Sequence, residues 1–566
     1  MKVKHIIAAA LLAAMPIQAA SVKVTHGDNN TNSIDLSKQA RYIVLPVEKG
    51  APNARFEVTC DASGITSGVD IPLAVNKIDH YVTINIEHAK TGEAALKLNN
   101  ASKDAIGWKS ITLTNEYDPD KDEQYRPIYH HSPFHGWMND PNGMFYKDGR
   151  YHLYYQYNPW ATTWGNMHWA HASSSDLVHW KNEGIAIPPD ALGAVFSGSS
   201  IVDHNNAAGY GKGAIIAFYT SAGSSQTQSM AYSTDNGRTF TKYEKNPVVT
   251  GTNPDFRDPK VIFHKESGKF IMVLSVAKKM EFYSSSNLKD WKLESDFGVG
   301  WGQQSGCWEC PDLVQLADET GKKKWVLLVN INGGAPSNGS GTQYFIGDFD
   351  GKTFTCEDEQ QVQKWQDYGK DHYATVCWDN APDGRTVAIG WMNNWEYANS
   401  LPTEAFRSAN TIARDLYLFD YKGDTFLGSR PSPEIEKFRT PSKELTAACE
   451  VNFKLKAQDD PQVFTLENKE GEGVVFTVDF KANTIAIDRS KSGKVTFSGG
   501  ANNQIVAPIL GDGYDVRIFI DKGSVECFIN DGKTVLSNAV FPSSTYTELK
   551  FSDKKNATKP KIYSIK

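Results

Sequence analysis

Five apolar runs, each suited to a β-strand, recur through the middle of this chain at nearly even spacing. They are YHLYYQY from Tyr151, AIIAFYT from Ala214, FIMVLSV from Phe270, WVLLVNI from Trp325 and TVAIGWM from Thr386, with starts 63, 56, 55 and 61 residues apart. A second motif follows most of them: SSSDLVHW to Trp180, STDNGRTF to Phe240, SSSNLKDW to Trp291 and GDFDGKTF to Phe354. Each is a turn followed by an aromatic residue. A period of this length, with several strands per unit, predicts propeller blades, and five repeats predict five blades over residues 125–430. A β-sandwich or β-helix is the alternative, but the period exceeds a β-helix rung.

The flanks are β-rich as well. Residues 21–118 hold strand candidates such as ARYIVLPV, ARFEVTC, HYVTINIEH and SITLTNEY, and Tyr81 to Ile86 alternate as in a half-buried strand. The acidic, turn-rich NEYDPDKDEQYRP reads as a linker. From 435 to 566 the blade pattern stops. There YDVRIFIDKGSVECFINDGKTVLSNAVF reads as antiparallel strands with a turn at Asn530-Asp531-Gly532, in a segment long enough for a separate β-sandwich. The expected fold class is therefore all-β: a five-bladed β-propeller with a C-terminal β-sandwich and an additional N-terminal β-domain. With 566 residues, several domains are needed in any case.

Residues 1–20 read as a secretory signal, with Lys2 and Lys4 ahead of an apolar stretch from Ile6 to Met15 and small residues at Ala19 and Ala20. That stretch is too short to span a bilayer. No cysteine stands at the cleavage site to carry a lipid, and no later segment is apolar enough to cross. The expectation is an exported protein, periplasmic or secreted, with no membrane anchor. A net charge of −7 without any basic block argues against nucleic acid as a partner. Seven scattered cysteines do not make a disulfide framework. Cys307 and Cys310 have CxxC spacing, but no second ligand pair for zinc lies nearby and no thioredoxin-like context surrounds them. They read as packing residues, bonded to each other or not.

The stretch HGWMNDPNGMFY, from His135 to Tyr146, sets Asp140 between Asn139 and Pro141. Pro141 pushes Asp140 toward extended backbone, and Asn142-Gly143 tolerates the positive φ of a tight turn. Taken alone, Asp140 fits a turn residue as well as a working acid. The repeat separates the two readings. Asp140 lies 11 residues before Tyr151, Asp258 12 before Phe270, Glu309 16 before Trp325 and Asp371 15 before Thr386, while Ser197 of FSGSS lies 17 before Ala214. Four of five repeats thus carry a carboxylate near the start of the blade, and the first strand of a propeller blade lines the central channel. These acids should converge on the axis.

Three of the acids precede a proline, at Asp140-Pro141, Asp258-Pro259 and Glu309-Cys310-Pro311, which fixes φ and withholds a donor. Converging carboxylates repel, and persist where a metal, an arginine or function compensates. Arg257 stands beside Asp258. No oxygen-rich calcium loop is visible, so neither metal nor cofactor is expected. Two working carboxylates and a third that binds describe glycoside hydrolysis. Trp137, Tyr154, Trp160, Trp164, Trp169, Phe196, Trp308, Trp391 and Trp395 lie in or near the same segments and offer faces for sugar C–H surfaces.

The motifs WMNDPNG, YYQYNP, WGNMHWAHASSSDLVHW, FSGSS, RDPK and WECPDL, in this order and spacing, resemble glycoside hydrolase family 32, the β-fructofuranosidases. The resemblance runs from about residue 125 to 566 and includes SVECFINDG. INGGAPSNGSGTQYFIGDFDGKTF, DYGKDHYA and GWMNNWEYA look more like levanases and exo-inulinases than plain invertases. Residues 21 to about 115 resemble an extra β-domain found on some bacterial members.

The resemblance implies retaining hydrolysis of terminal β-fructofuranosyl linkages in levan, inulin or sucrose. Asp140 matches the nucleophile, Glu309 the acid/base, and Asp258 the residue that binds fructose hydroxyls and stabilises the transition state. Asn139, Gln156, Trp164, Phe196, Ser197, Arg257, Asp371 and Trp391 match fructose-binding positions. RSANTIARDLYL departs from the usual pattern and leaves the role of Arg407 open. The partner expected is a fructan or fructo-oligosaccharide, with attack from the chain end. Linkage preference, oligomeric state and the task of the N-terminal domain stay open. The competing readings are an endo-acting levanase, a fructosyltransferase, an inverting arabinan-type propeller hydrolase and a non-catalytic sugar-binding propeller.

Overall fold

The recurring apolar runs are the second strands of five antiparallel blades, in a computed structural model that describes residues 20–36, 40–48, 50–59, 66–86, 89–92, 95–115, 123–159, 161–498 and 504–566. The signal segment expected over 1–20 (apart from Ala20), Cys60 and Trp160 lie outside the described residues. The chain divides into two compact units, 1–118 and 119–566.

In the first unit a four-stranded sheet includes Tyr42–Val47 and His80–Asn85, and a five-stranded sheet includes Ala54–Thr59 and Leu96–Asn99. Ile84 and Ile86 are buried and Tyr81 is exposed, as alternation demands.

In the second unit the inner strands of blades 1 to 5 are Gly136–Lys147, Ala194–Asp203, Phe256–His264, Trp308–Ala317 and Tyr373–Cys377. They pack side by side in a closed ring, the fifth against the first. Why the second strands read as unbroken apolar runs follows from the seams between blades. Trp325, Leu327 and Val329 of blade 4 point into the seam with blade 3, and Val326 and Leu328 into the seam with blade 5. Both faces are covered, so both must be apolar. The same split sends Ile215 and Ala217 toward blade 1, and Ile216 and Phe218 toward blade 3. Met144 and Leu153 meet Val387 and Ile389 where the ring closes. A two-residue parallel pairing of Phe406–Arg407 with Gly136–Trp137 latches blade 5 to blade 1.

The second repeated motif is the turn between third and fourth strands. Ser174 Oγ accepts the N–H of Asp176 and Leu177, and Ser285 Oγ that of Asn287 and Leu288. The hydroxyl replaces a backbone acceptor, which is why serine recurs there.

Beyond Pro431 the chain forms sheets of six and five strands. Val451, Phe464, Phe476, Ile487, Ile518 and Cys527 are buried in their shared core. Asn530, Asp531 and Gly532 all take positive φ (51°, 60° and 79°) in the turn between Ser524–Ile529 and Thr534–Ala539.

Alternation along Ser524–Ile529 sends Val525 and Cys527 into that core and Glu526 the other way, to the propeller. Glu526 there accepts hydrogen bonds from Arg414 at 2.5 Å and from the Ile412 N–H at 3.0 Å, and pairs with His130 at 2.8 Å; His130 also meets Asp521 at 2.9 Å. Burial opposes charge on His130, but the bonds to Asp521 and Glu526 outweigh it and carry its pKa from 6.5 up to about 9. Burial also opposes charge on Glu526, yet Arg414 and His130 bring it from 4.5 down to about 2.

The network's contribution from His130 is therefore complete below pH 6.5 and lost as pH rises through about 9. That from Glu526 is complete above pH 4.5 and lost as pH falls toward 2. Replacing Glu526 with glutamine leaves Arg414 paired with Asp367 at 2.8 Å but takes a charged acceptor from both Arg414 and His130, and is expected to cost roughly 1.5–3 kcal/mol in urea unfolding of the whole protein at pH 6. A loss below 1 kcal/mol would show that the network adds little.

Candidate active site

Every inner strand carries a β-bulge at the level of the expected acids. In blade 1, Asn139 and Asp140 together oppose Gln156; in blade 2, Phe196 and Ser197 oppose Thr220. Asp258 and Pro259 oppose Leu274, Cys310 and Pro311 oppose Val329, and Ala374 and Thr375 oppose Gly390. A bulge frees two residues from regular pairing and re-aims their side chains. A proline fits there because no ladder bond needs its missing N–H. In blades 3 to 5 the first bulge residue has positive φ: Asp258 at 66°, Cys310 at 42° and Ala374 at 52°. Each such residue costs of order 1–3 kcal/mol, which the surrounding ring must hold.

The acids do not occupy one repeat position. Asp140 is the second bulge residue of its strand, Asp258 the first, and Glu309 stands just before the bulge. All three nonetheless line one pocket of about 410 Å³, with Asn139, Gln156, Trp164, Phe196, Ser197 and Arg257. Asp371 does not. Counting from the sequence placed it level with the other acids, but the inner strand of blade 5 starts at Tyr373, so Asp371 lies two residues outside it. It is buried against Arg489 and Tyr397. The position equivalent to Glu309 is held by Tyr373, whose hydroxyl donates to Glu309 Oε2.

Trp391 is the second correction. It lies within Val387–Met392, fully buried, with its indole N–H on the Met138 carbonyl. Trp395, in the loop that follows, lines the pocket in its place. Trp137, Tyr154, Trp169 and Trp308 are also fully buried packing residues. Trp164 is 47% exposed at the pocket.

Hydrogen bonds differentiate the acids. Asp140, 8% exposed, accepts Ser197 Oγ at 2.5 Å and Cys310 Sγ at 3.3 Å, both on Oδ2. Its Oδ1 is buried and, among the described residues, has no hydrogen-bond partner. Asp258 Oδ2 accepts the Cys310 backbone N–H at 3.0 Å. Cys310 thus braces two acids, one by its thiol and one by its backbone. Cys307 and Cys310 are free thiols, and Cys307 Sγ lies 3.3 Å from Arg257 Nη2.

Arg257 donates to Glu309 Oε1 from Nη2 at 2.8 Å and from Nε at 3.2 Å, and to Asp255 at 2.6 Å. It stands 4.0 Å from Asp258. Ser197 and Arg257, expected to bind sugar, have donors engaged by the acids themselves. Gln156 likewise spends its amide hydrogens on Asn142 and the Val195 carbonyl, and Asn139 accepts the Trp137 indole N–H.

Burial raises the pKa of Glu309; Arg257 and the Tyr373 hydroxyl oppose the rise and Asp140 adds to it. Burial raises Asp258 to about 7, opposed by Arg257 and reinforced by Glu309 and Asp140. An aspartate with one oxygen tied and one left without a partner, and beside it a carboxyl biased toward its protonated form, make a pair that can supply a nucleophile and a proton to the same bound group.

Sequence reasoning missed Tyr373, Cys310, Asp255, Gln226 and Asn332, the last three of which also line the pocket. The signal available for Tyr373 was its place one residue before the bulge, but bulges leave no mark in apolar periodicity.

Comparison with known proteins places this geometry. The model of the Glycosyl hydrolases family 32 N-terminal domain matches residues 130–431, and that of the Glycosyl hydrolases family 32 C terminal matches 425–566. Residues 28–129 match a Domain of unknown function (DUF4980). A levanase of Bacillus subtilis (strain 168) is 41% identical over 78% of this chain and 70% of its own length. An extracellular exo-inulinase of Aspergillus ficuum is 37% identical over 75% of this chain and 90% of its own. The crystal structure of exo-inulinase from Aspergillus awamori superposes with a TM-score of 0.74 at 34% identity, over 80% of this chain and 99% of that one. A fructofuranosidase from Schwanniomyces occidentalis complexed with fructose gives a TM-score of 0.71 at 32% identity, over 79% and 99%.

Proposed function

The chain belongs to glycosyl hydrolases family 32 and is a glycoside hydrolase; from that premise we propose that it removes terminal β-fructofuranosyl units from fructans by double displacement with retention. The observation that carries this reading is the pairing of Asp140, whose Oδ1 is left without a hydrogen-bond partner among the described residues, with Glu309, whose carboxyl is biased toward protonation by burial. Asp140 Oδ1 attacks the anomeric C2 as the C2–O bond breaks, and Glu309 gives its proton to the leaving oxygen. Water then loses a proton to Glu309 and attacks C2, freeing fructose and restoring Asp140. Asp258 holds sugar hydroxyls. Asn139, Gln156, Trp164, Phe196 and Trp395 shape the pocket around the terminal ring, while Ser197 and Arg257 hold the acids in position.

The levanase and exo-inulinase relatives support a fructan as the substrate, and the extracellular relatives support export. Among the described residues no helix is long and apolar enough to cross a membrane. Incubating the purified protein with levan, and in parallel with inulin, tests the proposal. Fructose alone is expected from the first time point, and trapping in methanol should give the β-fructoside. A ladder of oligosaccharides would mean internal attack. No product from either polymer or from sucrose would sink the reading.

A further inference from the structure

Trp395 and Trp164 both line the pocket, and both depend on one loop, residues 393–401. Trp395 belongs to it. Asn399, in its single helical turn Ala398–Ser400, accepts the backbone N–H of Trp164 on Oδ1 at 2.9 Å. The loop is pinned from the C-terminal sandwich. The Tyr397 hydroxyl donates to Asp371 Oδ1 at 2.6 Å and accepts from Arg489 Nη2 at 2.7 Å; Arg489 Nη1 donates to Asp371 Oδ2 at 2.6 Å. Asp371 Oδ2 also accepts the N–H of Ala539, on another strand of the sandwich, at 2.8 Å. Arg489 lies on the sandwich strand Thr484–Lys491, and all three side chains are buried. A buried guanidinium needs partners for its charge, and Arg489 spends Nη1 on Asp371 and the Ala539 carbonyl and Nη2 on the Tyr397 hydroxyl, which ties Tyr397 into the cluster.

We propose that the C-terminal sandwich sets how tightly the pocket holds a terminal sugar, with Arg489 and Tyr397 as positioning residues that act through the 393–401 loop on Trp395 and Trp164. This rests on the fructosidase reading. Neither residue lines the pocket. Between Val387–Met392 and the Phe406–Arg407 pairing, the chain has no strand to hold it. Its other ties include those to the propeller, from the Trp395 N–H to Ser340 Oγ at 2.9 Å, from Asn394 to the Lys370 carbonyl at 2.9 Å and from Arg407 to the Asn399 carbonyl at 2.5 Å, and such segments open more easily as ties are lost. Releasing the pin lets the two indoles shift relative to the acids, and displacements near 1 Å carry large kinetic penalties.

Tyr397→Phe keeps the ring and the Arg489–Asp371 pair and removes only the hydroxyl. The expected result is a KM for sucrose, levan and inulin raised roughly tenfold, with kcat within about twofold. Deuterium exchange across 393–401 should quicken, and the thermal midpoint should fall as well, because Arg489 Nη2 and Asp371 Oδ1 each lose a buried partner. Asn399→Ala, which leaves the sandwich contact alone, should raise KM in the same direction. A lowered thermal midpoint with KM unchanged would overturn the proposal and leave Tyr397 a purely structural residue. A wild-type protein inert on every fructoside would instead sink the fructosidase reading. In that event unchanged exchange over 393–401 would still overturn the pinning.

Discussion

Asp140→Asn is expected to lower kcat on levan or inulin by roughly 10⁵-fold or more, the scale seen when a nucleophile is removed from a working constellation, while the unfolding midpoint holds or rises. The two halves of this expectation have separate causes. The amide keeps the shape and an oxygen that can accept from Ser197 and Cys310 as Oδ2 does now. It removes the charge that Asp140 sets against Asp258 and Glu309, two carboxyls whose pKa it helps to raise, so crowding in the pocket falls. What it cannot do is form the bond to C2. Single-turnover assays beside calorimetry would check both halves. Activity within tenfold of wild type would remove Asp140 from the chemistry, and a collapsed midpoint would make it a structural turn residue after all.

Glu309→Gln should cost roughly 10²–10⁴-fold on natural fructans, where the leaving oxygen needs a proton. On a β-fructofuranoside with an acidic phenol as leaving group, the first step needs no proton and should stay near its wild-type rate. The second step then lacks its base, so the covalent intermediate accumulates as a burst. Azide should restore turnover, because an anion needs no deprotonation. Arg257, deprived of the charge that takes two of its hydrogen bonds, would favour an anion there. The product should be the β-fructosyl azide. Equal losses on both substrate types, with no azide product, would assign the proton to another group.

Both variants concern residues that were legible before any coordinates. The apolar runs revealed the blades because their second strands are covered on both faces, as Leu327 and Leu328 illustrate by pointing into different seams. Asp140, Asp258 and Glu309 stood out because each sits just ahead of a proline at the start of a repeat. What periodicity could not supply was phase. A bulge adds a residue without changing composition, so a count of residues placed Asp371 level with Glu309 when Tyr373 holds that position. Trp391 and Trp395 are four residues apart; one ends in a strand core and the other in a loop, and only the loop's path decides which faces the sugar. Arg489 was beyond reach for another reason: its partner Asp371 is 118 residues away, across a domain boundary.

The bulges give this propeller the property of a vernier, in which matching scales are read at marks set one step apart. Blades 1, 3 and 4 share a frame, yet their acids stand at successive steps of it, so a fivefold repeat presents three carboxyls that face a single sugar differently. Deleting one residue from the Glu309–Asp312 bulge would leave a more regular blade, with ring and seams intact. Since neighbouring side chains alternate between faces, it would also shift the phase of everything on one side of the deletion. Architecture and reaction are thereby separable by single insertions and deletions. A change that improves the sheet can abolish the enzyme, and sequence drift in blade length can be absorbed in the outer strands without disturbing the reading at the axis.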